Sequence, residues 1–174
     1  MALLVQKYGG SSVADVECVK RVARRVAEAR RGGNDVVVVV SAMGDTTDEL
    51  IELARAVHAN PSDREMDMLL STGEQISVAV LAMALHAMDV AAVSMTGPQA
   101  GIYTDGAHSR AKIMDIKPDR IRRMLEEGNV VIVAGFQGLT PSADIATLGR
   151  GGSEIRDSAT VQPSEVTCKM REKW

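Results

Sequence analysis

The chain has 174 residues, 45% of them hydrophobic and 25% charged, with a formal net charge of −3; this is the size and balance of one folded domain with a buried core. A sequence pI near 5.6 and the lack of a sustained basic stripe exclude an electrostatic nucleic-acid footprint. Four aromatic residues, Tyr8, Tyr103, Phe136 and Trp174, are too few for base stacking or a membrane belt, and no run reaches the ~18 apolar residues that span a bilayer.

The predicted elements alternate strand and helix. Ala2–Tyr8 reads as a strand, and Val13–Arg31 as a helix with apolar residues at 3–4 spacing behind a possible Ser12 N-cap. Val36–Val40, five consecutive valines, suits a central strand buried on both faces. A helix is predicted over Thr46–Ala59, then a long apolar helical region over Met66–Met88, broken or bent near Thr72-Gly73, then a strand over Val90–Met95. A Gly-rich loop leads to a short strand at Ala111–Ile116, a helix at Pro118–Glu127, a strong strand at Val130–Ala134 and a weak one at Asp144–Thr147. Such alternation is the signature of βαβ units around a mostly parallel sheet. The tail Glu154–Trp174 mixes acidic and basic residues without an apolar period and is not expected to join the core.

Cys18 and Cys168 have no Cys-x-x-Cys or Cys/His ligand spacing, so unpaired thiols and no structural zinc are expected. Met1–Val5 is interrupted by Gln6-Lys7 before a signal-peptide core forms. Both features point to the cytoplasm.

Chemistry concentrates in the turns. Lys7-Tyr8-Gly9-Gly10-Ser11-Ser12 stands where a strand turns into a helix, so its glycines let backbone N–H groups approach an anion. It is neither a Walker A loop nor a Gly-x-Gly-x-x-Gly turn. Ser41-Ala42-Met43-Gly44-Asp45-Thr46-Thr47 follows the valine strand, at the edge where open α/β sheets bind ligands, with Asp45 or Thr46 available as a cap. Ser41 stands where a nicotinamide-binding fold would usually carry an acidic ribose ligand, which speaks against an oxidoreductase. In Ser71-Thr72-Gly73-Glu74-Gln75, Glu74 either caps a helix or binds a substrate ammonium group. In Gly149-Arg150-Gly151-Gly152-Ser153, a guanidinium able to grip a carboxylate joins a flexible backbone able to wrap phosphate.

In order along the chain, Lys-Tyr-Gly-Gly-Ser-Ser, Ser-Ala-Met-Gly, Ser-Thr-Gly-Glu, Thr-Gly-Pro-Gln-Ala-Gly, Ala-Gly-Phe-Gln-Gly and Thr-Leu-Gly-Arg-Gly-Gly-Ser closely resemble the aspartokinases of the amino acid kinase family over residues 2–153. The resemblance implies a three-layer αβα sandwich of the amino acid kinase type. It implies ATP on Lys7, Gly9, Gly10, Ser11, Ser41 and Ser153, with Mg²⁺ carried by the nucleotide and no protein metal site. It implies L-aspartate on Thr47, Glu74 and Arg150, with Gly151, Gly152 and Ser153 at the junction of the two substrates. The expected reaction transfers the ATP γ-phosphate to the β-carboxylate of aspartate, giving 4-phospho-L-aspartate for lysine, threonine and methionine synthesis. That carboxylate, with a pKa of about 4, is already ionised at neutral pH, so no general base is required. His58, His86 and His108 all fall outside the motifs.

Where the family continues with Asp after Gly-Arg-Gly-Gly-Ser, this chain reads Glu154-Ile155-Arg156-Asp157, leaving either Glu154 or Asp157 for the catalytic acid. The expected domain is therefore residues 1–153, an amino acid kinase domain incomplete at its C-terminal side, with 154–174 an atypical tail. The expected partners are further copies of the chain, or a missing C-terminal half with regulatory domains. The alternative function is an inactive fragment or a substrate-binding half-module that needs a partner chain.

Overall fold

Five valines in a row cannot offer one apolar and one polar face, so the strand they form must be covered on both sides. In the computed structural model, which describes residues 2–149, Asp35–Val40 is such a strand, β2. It pairs in parallel with β1 (Leu3–Tyr8) on one side and β6 (Val130–Ala134) on the other, and β3 (Ala92–Met95) pairs in parallel with β6. The order across this sheet is β1-β2-β6-β3.

The alternation of side chains along a strand divides the valines between two cores. Val36, Val38 and Val40 join Val130, Ile132 and Ala134 under α1 (Val16–Arg31) and α3 (Asp63–His86). Val37 and Val39 join Val131 and Val133 on the other face, where α4 (Asp119–Glu126) brings Ile121, Met124 and Leu125. Helix, sheet and helix make the three layers. The remaining α-helix among the described residues, α2 (Thr46–Val57), buries no residue fully and packs on α3.

A second, mixed sheet was not expected. It runs β5-β4-β7-β8, from β4 (Ile102–Thr104), β5 (Ile113–Ile116), β7 (Gln137–Leu139) and β8 (Ile145–Thr147). Strands β4 and β7 have three residues each, too short to leave a periodic pattern, and the pairing that joins the β4–β5 and β7–β8 antiparallel pairs into one sheet links Tyr103 to Leu139, far apart in sequence. Ala111, predicted as a strand start, instead forms an isolated bridge to Leu148.

Three local expectations are corrected. Helix α3 is a single uninterrupted helix that starts at Asp63 and passes through Thr72-Gly73. The hydroxyls of Ser71, Thr72 and Ser77 donate back to the carbonyls of Met68, Leu69 and Gly73, so they are satisfied within the helix. Helix α1 starts at Val16, because extended Asp15 is its N-cap and accepts from the Cys18 N–H at 2.7 Å; Ser12 belongs to a preceding 3₁₀ turn, Gly10–Val13. Finally, α3 is long and apolar enough by length and composition to cross a membrane, against the expectation of no such stretch. It is a core helix here, with Leu81 and Leu85 completely buried on the sheet and two carboxylates, Asp67 and Glu74, buried nearer its start.

Candidate functional site

Because β1, β2, β3 and β6 are parallel, the loops that follow them all emerge at one edge of the sheet, the edge where open α/β folds bind ligands. Backbone bonds sew the loops together. The Ser41 N–H donates to Tyr8 O at 3.1 Å, the Gly44 N–H to Gly10 O at 3.2 Å and the Gly135 N–H to Val40 O at 2.9 Å.

Ala42 is the hub, 4% exposed. A Cβ on Gly10 would lie 2.9 Å from its carbonyl oxygen, and a Cβ on Gly73 would lie 2.9 Å from its methyl, so both glycines are required by close approach. The loop after β1, the loop after β2 and the middle of α3 thus meet at one residue. Gly9 differs: its φ is −76° and a Cβ there would meet nothing. Neither space nor conformation demands a glycine at 9, and its effect is to leave the backbone bare at the end of β1. Lys7, one step inside the strand, is exposed, and so is Ser11. The turn after Gly9 is 3₁₀ and α1 begins only at Val16, so the strand does not turn directly into an α-helix at these glycines.

Ser41 and Thr47 are half-buried on either side of the Ala42–Gly44 turn, Thr47 in the first turn of α2. Asp45 occupies the cap position of α2 but its side chain makes no capping bond.

Glu74 lies in mid-helix, so it is not a cap. It is 3% exposed; its Oε1 accepts from the Ala42 N–H at 3.2 Å, while Oε2 is buried with no partner among the described residues. Burial pushes its carboxyl up to about 7, because removal from water penalises the charged form. An oxygen in that state is poised for a cationic donor, which would offset the desolvation.

Two of the motifs prove to be built into the frame. In Thr96–Gly101, Thr96 and Gln99 exchange bonds between side chain and backbone N–H. In Ala134–Gly138, the fully buried Gln137 donates through Nε2 to Ser71 O and staples β7 to α3. Sequence reasoning also passed over Asp67, which shares the buried face of α3 with Ser71 and Glu74 at i, i+4 and i+7; that polar spacing in an apolar helix was the available signal. Arg150, Gly151, Gly152, Ser153, Glu154 and Asp157 lie outside the described residues. Among the described residues, no group of three or more His, Cys, Asp or Glu side chains is arranged to hold a metal ion.

A parallel sheet that delivers glycine-bearing loops to one edge, with a buried carboxylate behind them, defines an α/β ligand-binding domain of the three-layer class. The pattern of the amino acid kinase family matches residues 2–155, and the chain belongs to that family. It is 60% identical over 155 residues to an aspartokinase of Mycolicibacterium smegmatis, covering 88% of this chain and 37% of that protein. It is 60% identical over 154 residues to an aspartokinase of Geobacillus stearothermophilus, covering 88% and 38%. Among solved structures it is similar to the aspartate kinase of Synechocystis, at 49% identity and a TM-score of 0.73 over 87% of this chain and 24% of that one. It also resembles E. coli aspartokinase III in complex with lysine and aspartate, at 25% identity and a TM-score of 0.73 over 87% and 44%. The chain thus spans less than two-fifths of the length of these two curated relatives.

Proposed function

We propose that this domain serves an aspartate kinase reaction, in which the β-carboxylate of L-aspartate attacks the γ-phosphorus of ATP to give 4-phospho-L-aspartate and ADP. The observation that carries the reading is Glu74, a buried carboxylate with one oxygen on the Ala42 N–H and the other without a partner among the described residues, beside the loops after β1 and β2. An acceptor ammonium group supplies the donor that oxygen lacks. Thr47 and Arg150 are assigned to the rest of the aspartate, Arg150 as a fork on its carboxylate. Lys7, Gly9, Gly10, Ser11 and Ser41 are assigned to the phosphates. Gly151, Gly152 and Ser153 are assigned to the junction of the substrates, and Glu154 or Asp157 to the family's catalytic acid.

With the acceptor ionised, the barrier is repulsion between two anions. Lys7 and the backbone of the Gly9-Gly10 turn, bare at Gly9, offset it by meeting the charge on the transferring group, together with the Mg²⁺ that ATP carries. The cytoplasm suits the reading, and among the described residues Cys18 is a buried free thiol. Assembly with further copies of the chain or with a regulatory part belongs to the same proposal.

A second reading is favoured by the share of the relatives that the chain spans: the 174 residues act as a substrate-binding module that turns over only with further length or a partner chain. The acceptor assignment is tested by Glu74→Gln in the chain joined to the remaining length of an aspartokinase. The KM for aspartate should rise at least ~10-fold while the KM for ATP stays within about twofold, as expected when a charged contact to one substrate is lost. Equal rises in both would make Glu74 a packing residue.

A further inference from the structure

Asp67 lies two helical turns before Glu74 on the same buried face of α3, is completely buried, and has no part in the reaction as described above. A buried carboxylate is costly unless donors surround it, and three groups reach this one. His108 Nδ1 lies 2.7 Å from Oδ2, the Ser109 N–H donates to both oxygens at 3.1 and 3.0 Å, and the Thr147 hydroxyl donates to Oδ1. They come from two segments far away in sequence, the loop between β4 and β5 and the last residue of β8.

The two segments are also joined to each other, since the Ala111 N–H donates to Thr147 O at 2.9 Å. Ser109 has a φ of 63°, a left-handed conformation that costs a residue with a Cβ about 1 kcal/mol, and the paired contact of its N–H with Asp67 holds it there. One turn nearer the start of α3, Arg64 bonds to Asp144 Oδ1 at 2.9 Å and ties the entry of β8 to the same helix. The other end of β8 is fixed by Asp67 through Thr147, three residues before Arg150 in the sequence.

We propose that Asp67 is a positioning residue: by gathering His108, Ser109 and Thr147 onto the first half of α3, it fixes the end of β8, which stands just before Arg150 in the sequence, relative to Glu74. Its effect on substrate rests on the acceptor reading above; the clamp itself does not. Amide hydrogen exchange and ligand-observed NMR on the 174-residue chain test the two separately, using Asp67→Asn, Thr147→Val, which removes the hydroxyl, and Thr147→Ser, which keeps it. Asp67→Asn and Thr147→Val should speed exchange at the Ala111 and Leu148 amides by at least ~10-fold, with the β2–β6 ladder still protected, because the opening is local. L-Aspartate affinity should fall at least ~10-fold in both, as a small misplacement of binding groups produces. Thr147→Ser should keep both properties.

Unchanged exchange at Ala111 and Leu148 overturns the proposal. So does equal loss of protection throughout the central sheet, which would make Asp67 a general stability group, and so does local loosening with aspartate affinity intact. A parent chain that binds no L-aspartate would overturn the acceptor reading instead, with the exchange contrast between Thr147→Ser and Thr147→Val still deciding whether Asp67 holds β8.

Discussion

Glu74 ionises differently in the folded and unfolded chain, and the sign of the consequence follows from its burial. Its carboxyl is raised from 4.5 to about 7 by desolvation, against smaller opposing hydrogen bonds from its own N–H and that of Ala42. Between those values the folded state binds the proton and the unfolded state does not. Stability from this group is therefore complete at low pH and is lost as pH rises to about 7, by about 3 kcal/mol. Urea unfolding from pH 4.5 to 8 should show Glu74→Gln gaining on the parent by that amount toward the alkaline end; a constant difference would mean that Glu74 is charged throughout. Lys7 calls for the opposite pattern, since it is exposed at the end of β1. In the chain joined to an aspartokinase's remaining length, Lys7→Ala should lower kcat by ~10²-fold or more, the usual cost of one lost transition-state contact, with an unchanged unfolding midpoint. An unchanged kcat would remove Lys7 from the phosphate site.

Helix α3 changes character along one face. As far as Ser77 it buries the polar Asp67, Ser71, Glu74 and Ser77, and beyond that it buries Val78, Leu81, Ala82 and Leu85. The apolar part fastens the helix to the sheet and the polar part meets the loop after β2, so one rigid element carries both the anchor and the candidate site. Gly73 allows the polar part to touch the loop after β2. Alanine there would gain about 1 kcal/mol of helix propensity, but its methyl would come within 2.9 Å of Ala42. Overpacking of that kind costs about 1–3 kcal/mol. Gly73→Ala should therefore lower the urea midpoint; a rise would mean that the loop yields freely and that Ala42 is not a fixed hub.

At the scale of the whole molecule, phosphoryl transfer requires donor and acceptor to be held together, and a misplacement of about 1 Å costs roughly 10²-fold. The chain spans 37–38% of the length of the two curated aspartokinases compared with it. We expect the purified 174-residue chain to show no aspartate-dependent ADP release above background. Joining it, from an aspartate after Ser153, to an aspartokinase continuation should restore turnover. A coupled ADP assay with aspartate omitted as control decides this, and robust turnover by the unaltered chain would show that Glu154 or Asp157 suffices.

Period and turn chemistry in the sequence were enough to determine the parallel core, because the signals are local: five valines for a strand covered on both faces, 3–4 spacing for α1, glycines where strands end. The motifs likewise located the Gly9-Gly10 turn, the Ser41–Thr47 loop and Glu74. The continuity of α3 was not legible, since hydroxyls and a glycine read as breakers until their carbonyl partners and the methyl of Ala42 are seen. Strands β4 and β7 exist only by pairing. Asp67 joins His108 and Thr147, 41 and 80 residues away in sequence, and no pattern along a chain records such a meeting. Tertiary structure alone decided that network and the state of Glu74, because the cost of burying a charge depends on what the rest of the chain brings around it.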